Sequence, residues 1–217
     1  MINIAIDGPS AAGKSTIAKI LAKQFSYIHL DTGAMYRCCA YASILQNIDI
    51  NDCKAIKDMM NLIQITFADN GDVELNGINV ADKIRTNEIS MRTSTISQYP
   101  FVREKLVSLQ QKIAKPKGYI MDGRDIGSVV LKEAEVKIYL VASVEARAQR
   151  RYDEYVKQGI DIDYETIYKD IEQRDYQDMN RKESPLIKAD DAIEIDSSHL
   201  SIQQVVDKIS NIIIKKM

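Results

Sequence analysis

The residues Gly8-Pro9-Ser10-Ala11-Ala12-Gly13-Lys14-Ser15 have the spacing G-x-x-x-x-G-K-[ST] and lie between a short apolar run and an amphipathic stretch. That pattern can hold the phosphates of a nucleoside triphosphate such as ATP. Gly8 and Gly13 let the backbone curl until its N–H groups converge on phosphate oxygens, and a following helix adds partial positive charge. Lys14 could reach the β- and γ-phosphates, the Ser15 hydroxyl could ligate Mg²⁺, and Thr16 closes the ATP-binding stretch. Asp122 ends a second apolar run, Tyr119-Ile120-Met121. A carboxylate there could hold the same ion through water, although an ordinary strand-end Asp beside a turn would look the same.

A triphosphate cradle does not name the phosphoryl acceptor. Switch GTPases, small-metabolite kinases and nucleoside monophosphate kinases all use such a loop. GTPases read guanine with an Asn-Lys-x-Asp element, and this chain has no Asn-Lys pair. Transfer between two nucleotides gathers several negative charges and therefore needs many fixed cations. Arg37, Arg85, Arg92, Arg103, Arg124, Arg174 and Arg181 are spread over several segments. Arg147, Arg150 and Arg151 read on their own as one exposed, charged helix face.

Short apolar runs alternating with amphipathic segments predict an α/β protein with a parallel sheet. Strands are expected at Ile2–Ile6, Tyr27–Leu30, Tyr119–Asp122, Val136–Val141 and Ala192–Ile195. Helices are expected at about Lys14–Phe25, Ala34–Gln46, Glu88–Gln98, Phe101–Lys115, Val144–Lys157, Tyr164–Arg181 and Ser201–Lys216. The middle differs. Leu62–Phe67, Val73–Leu75 and Ile78–Val80 are short strand candidates separated by Asn70-Gly71 and Asn76-Gly77, pairs that favour tight hairpin turns. They predict a small antiparallel meander inserted into the βαβ chain.

The 217 residues suit one compact domain with room for an insertion, and 45% hydrophobic with 28% charged residues is an ordinary globular mix. A net charge of -2 offers no global field for nucleic acid or an anionic membrane. Cys38, Cys39 and Cys53 lack zinc-like or redox spacing and read as reduced thiols of a cytoplasmic protein. Two histidines, His29 and His199, argue against a multi-His metal site. The N-terminus lacks a signal-peptide pattern, and no run reaches the roughly 18 apolar residues of a membrane span.

Several ordered blocks resemble the bacterial cytidylate kinases along nearly the whole chain. They are Ile6-Asp7-Gly8-Pro9-Ser10 with the phosphate loop, Leu30-Asp31-Thr32-Gly33-Ala34-Met35-Tyr36-Arg37, Ile84-Arg85-Thr86, Val102-Arg103-Glu104, Asp122-Gly123-Arg124-Asp125-Ile126-Gly127, and Gln173-Arg174-Asp175 through Asn180-Arg181. The resemblance implies a P-loop kinase core with a five-stranded parallel sheet flanked by helices, at residues 1–36 and 116–217. It also implies a CMP-binding insert at about 37–115 and a mobile lid at about 147–181. The expected reaction moves the γ-phosphoryl of ATP to CMP or dCMP with Mg²⁺, in a monomer. By the same resemblance Asp125 accepts from the cytosine N4 amino group, while Arg103 and Ser94 donate to its acceptor edge. Arg37, Arg124 and Arg181 hold the CMP phosphate. Asp31, Thr32 and Tyr36 shape the acceptor site, and Asp178 contacts the sugar. Lys14, Arg124, Arg150 and Arg174 are the catalytic cations, the last two from the lid. Ala11-Ala12, Ser15 and Thr32 stand where other members carry Gly, Thr or Ser, changes that keep the chemistry.

Overall fold

A computed structural model describes residues 1–68 and 71–217. The chain divides into two compact units, Met1–His29 with Pro116–Met217, and Leu30–Lys115. The first begins with strand β1 (Ile4–Asp7), whose four residues are all buried, followed by helix α1 (Lys14–Phe25). Helix α1 buries Lys14, Ile17, Ala18, Leu21 and Ala22, the i, i+3, i+4, i+7, i+8 stripe of a helix lying on a sheet. Strands β2 (Ile28–Asp31), β6 (Tyr119–Gly123), β7 (Val136–Val141) and β8 (Ile193–Asp196) join β1 in one parallel sheet of order β2-β6-β1-β7-β8. Asp7 pairs in register with Gly123 of β6 and Tyr139 of β7, so the loops after β1 and β6 emerge side by side. Ile4, Ile6, Leu21, Ile120, Ile138 and Leu140 form the core with α8 (Ile202–Ile214), which is closed at its start by a Ser201–Gln204 capping box. Helices α6 (Val144–Lys157) and α7 (Tyr164–Asn180) complete this unit.

The second unit holds α2 (Thr32–Leu45), α3 (Cys53–Leu62), α4 (Asn87–Ile96) and α5 (Pro100–Ala114) with an antiparallel sheet of β3 (Ile65–Phe67), β4 (Val73–Leu75) and β5 (Ile78–Asn79). Asn76 and Gly77 have φ of 52 and 76 degrees, as a two-residue hairpin turn requires, and Leu75 pairs with Ile78 across it. The companion turn expected at Asn70-Gly71 rests on Asn70, which lies outside the described residues. Helix α3 corrects the strand expected to begin at Leu62. Asp52 caps α3 by accepting from the Ala55 N–H at 2.9 Å, and Ile56, Met59 and Met60 share its buried face. Leu62 is its exposed last residue. Among the described residues no helix is long and apolar enough to cross a membrane.

Candidate functional site

In the first unit the phosphate loop is held by geometry that restricts residue choice. Gly8 sits at φ 150 degrees, and a Cβ there would lie 2.0 Å from the Leu140 carbonyl oxygen. Gly13 caps α1 at φ 91 degrees. Ala11 takes φ 59 degrees, a left-handed conformation that costs a non-glycine residue roughly 1–2 kcal/mol. Thr16 is exposed in the first turn of α1. Lys14 is buried and folds back on the loop, donating to the Pro9 carbonyl at 2.6 Å. Burial, then the charge of Arg124, lowers its pKa well below that of an ordinary lysine. A polyanion in the loop would relieve both effects.

Ser15 Oγ donates to Asp122 Oδ2 at 2.7 Å, and His29 Nε2 bonds Asp122 Oδ1 at the same 2.7 Å. Burial alone would raise the Asp122 pKa, but His29, Ser15 and Lys14 outweigh it and hold the carboxyl below its ordinary value. A carboxylate can only accept, so His29 carries its proton on Nε2. The Ser15 and Asp122 oxygens are hard donors placed together where triphosphate oxygens would supply further ligands. That set fits Mg²⁺, which takes few protein ligands and keeps several waters.

Helix α7 brings the cations of this unit together. Arg174, Asp175 and Asp178 lie on its buried face, with Arg181 at its C-terminal cap. Arg124 Nε donates to Asp178 Oδ2 at 2.9 Å. Arg181 lies 3.6 Å from Asp178 Oδ1 and 4.0 Å from Asp125 Oδ1, and its Nε donates to the Ser184 carbonyl. Burial would raise Asp178, but the charges of Arg124, Arg174 and Arg181 hold its pKa low. Three of the expected cations thus act on the Asp178 carboxylate, and two of them, Arg124 and Arg174, also act on Lys14. Arg150 stands apart from them. Its guanidinium donates to the Ser197 carbonyl at 2.5 Å and Oγ at 3.3 Å, beyond the end of β8.

Arg147 overturns the expected exposed face. Its side chain is buried, donates to the carbonyls of Ala142 at 2.8 Å and Ser10 at 3.1 Å, and pairs with Asp175 at 2.6 Å. It therefore ties the phosphate loop to α7. Asp7, one residue before Gly8, is also buried and accepts from the N–H groups of Ile126 and Gly127, each at 2.7 Å.

In the second unit Asp31 caps α2, accepting from the Ala34 N–H at 3.0 Å. Its other oxygen lies 3.6 Å from both Arg37 and Arg85. The Arg103 guanidinium lies 5.3 Å from the centre of the Tyr36 ring, and its Nη1 donates to the Ser97 carbonyl at 3.3 Å. Thr32, Tyr36, Ser94 and Arg103 are buried. Sequence reasoning gave no role to Asp7, His29, Arg85 or Arg147. Only Asp7 carried a clear signal, a lone charge closing the apolar run Ile4-Ala5-Ile6.

A sequence model described as cytidylate kinase matches residues 4–215. The chain is 51% identical over 211 residues to the cytidylate kinase of Bacillus subtilis strain 168, covering 96% of this chain and 94% of that one. It is 49% identical over 212 residues to the cytidylate kinase of Streptococcus pneumoniae strain R6, covering 96% and 95%. Among solved structures it is similar to a shikimate kinase from Bacteroides thetaiotaomicron, with TM-score 0.50 and 11% identity over 98% of each chain. That likeness bears on the fold alone.

Proposed function

The chain belongs to the cytidylate kinase family, and we propose that it transfers the γ-phosphoryl group of ATP to CMP or dCMP, giving ADP and CDP or dCDP. The observation that carries this reading is the gathering of Arg124, Arg174 and Arg181 around Asp178, with Arg124 and Arg174 also acting on Lys14, in the unit that holds the phosphate loop. Such a concentration of cations suits a reaction that brings two phosphorylated molecules together.

The transfer is direct and in line. The CMP phosphate is already an anionic nucleophile, so no protein base is needed, and positioning with charge neutralisation supplies the catalysis. Residues Gly8 to Thr16 bind ATP through backbone N–H groups. Lys14 leaves the Pro9 carbonyl for the β- and γ-phosphates. Ser15 and Asp122 would hold Mg²⁺, which when bound neutralises charge developing on the transferred phosphoryl group. Arg37, Arg124 and Arg181 take the acceptor phosphate in the fork geometry that guanidinium offers. Asp31, Thr32 and Tyr36 shape the acceptor site, and Asp178 contacts the sugar.

Asp125, Arg103 and Ser94 are assigned to the cytosine. Uracil would set its O4 oxygen against the Asp125 carboxylate, a mismatch worth roughly 1–3 kcal/mol per unsatisfied group. The acceptor-binding part is assigned to residues 37–115 of a single kinase unit and a lid to residues 147–181. On closure Arg150 would leave Ser197 and join Arg174 over the transferring group, excluding water that would otherwise consume ATP. The reading includes a cytoplasmic monomer that engages neither nucleic acid nor membrane.

An acceptor panel tests it. ADP release would be followed with ATP and, in turn, CMP, dCMP, UMP, dTMP and shikimate. CMP and dCMP should give the highest kcat/KM. Equal rates with and without any acceptor would overturn the reading.

A further inference from the structure

We infer that Asp7 is a positioning residue, whose carboxylate holds the backbone that follows Arg124 and Asp125 and so sets the acceptor side of the reaction from the strand that feeds the phosphate loop. The inference rests on the assignment of Asp125 to the cytosine made above.

Asp7 accepts from two consecutive backbone N–H groups, Ile126 through Oδ1 and Gly127 through Oδ2, each at 2.7 Å and across about 120 residues of chain. Two charge-assisted bonds from one carboxylate fix the orientation of that peptide as well as its place. The next turn extends the hold. The Asp125 carbonyl accepts from the N–H groups of Val129 at 2.9 Å and Val130 at 3.2 Å, opening a π-helical turn over Ile126–Val130. Asp125 is therefore tied to β6 on one side and to Asp7 through this turn on the other.

The glycine leaves room for this approach. A Cβ on Gly127 would lie 3.4 Å from Asp7 Oδ2 and 3.1 Å from Lys137 Cδ. Lys137 has little room to move, since its Nζ donates to the Lys132 carbonyl at 2.6 Å and pairs with Asp191 at 2.8 Å.

Electrostatics sharpen the point. A buried negative charge one residue before a phosphate-binding loop works against the phosphates, so a neutral residue would suit ATP better. Burial pushes the Asp7 pKa up to about 6, and the Gly127 and Ile126 N–H groups oppose that rise. What the carboxylate alone supplies is two acceptors. Asparagine has one acceptor oxygen and would turn an N–H donor toward Ile126 or Gly127.

The test compares Asp7→Asn with Asp125→Asn, using KM for CMP, UMP and ATP and the Kd of a non-hydrolysable ATP analogue. Asp7→Asn should raise KM for CMP and lower the CMP/UMP ratio of kcat/KM, each by about tenfold, the effect of one unsatisfied buried donor. The analogue should bind within about twofold of its normal Kd, or more tightly. An unchanged CMP KM and ratio, or equal losses on CMP and ATP, would overturn the inference. If Asp125→Asn leaves the ratio unchanged, the cytosine assignment fails by itself. Amide hydrogen exchange in the wild-type protein then decides the anchor, and decides it also if Asp7→Asn does not fold. The Ile126 and Gly127 N–H groups should exchange slowly, and fast exchange at either would overturn it.

Discussion

The loop after β1 and the loop after β6 leave neighbouring parallel strands, and the chain specifies the first by residues inside it and the second by a residue more than a hundred positions away. The phosphate loop carries its own instructions. Gly8 is required because a Cβ would strike the Leu140 carbonyl, Gly13 permits the turn into α1, and Lys14 supplies the charge. The stretch Arg124-Asp125-Ile126-Gly127 depends more on distant partners, and its one internal constraint is Gly127, which leaves room for Lys137 and Asp7. Its backbone is held by Asp7, and its side chains by Asp178 and Arg181 from α7. A loop shaped by its own glycines leaves a local signature, whereas side chains held by distant partners are assembled by the fold.

Perturbing each side should separate them. Lys14→Ala should reduce kcat roughly 100- to 1,000-fold while far-UV circular dichroism and the melting temperature stay near normal. Near-normal turnover in that variant would remove the contrast at its root. The second comparison is between Asp7 and asparagine as pH changes. The Asp7 pKa is raised in the folded protein to about 6, so its contribution to stability is complete below the unfolded value near 4 and is lost as pH rises through 6. Denaturant titrations should show Asp7→Asn gaining on the wild type by up to about 3 kcal/mol between pH 4 and 7. A gap that does not change with pH would mean that Asp7 titrates normally.

Asp125→Ala should act on specificity rather than on ATP, lowering the CMP/UMP ratio of kcat/KM by about 10- to 100-fold. A constant ratio would remove Asp125 from the base. The smallest effect is expected at Ala11. Replacing it with glycine should relieve the left-handed backbone and raise stability by about 1 kcal/mol or less, because glycine also gives the unfolded chain more freedom. A loss of stability would show that the alanine methyl makes a contact worth more than the strain.

The same contrast explains which features could be read from the residues. The parallel sheet, the Asn76-Gly77 hairpin and the helices α6 and α7 follow from apolar periodicity and turn chemistry, which are local. Helix α3 had local signals, the Asp52 cap and the Ile56, Met59, Met60 stripe, but the apolar pair Leu62-Ile63 beside it suggested an earlier start to the strand. The π-helical turn after Asp125 has no sequence period, and its partner Asp7 lies about 120 residues away. Arg147 sits in the same charged helix as Arg150 and Arg151. Its burial follows from Asp175 and the Ser10 carbonyl, partners that only the folded chain supplies. His29 was hidden for the same reason, because its partner Asp122 lies 93 residues away.

The central claim is that this chain binds a cytosine nucleotide as well as a triphosphate. Isothermal titration of the purified protein with CMP, alone and beside a non-hydrolysable ATP analogue, measures it directly. One CMP should bind per chain, with UMP weaker by about tenfold or more. Absence of CMP binding under both conditions would contradict the account.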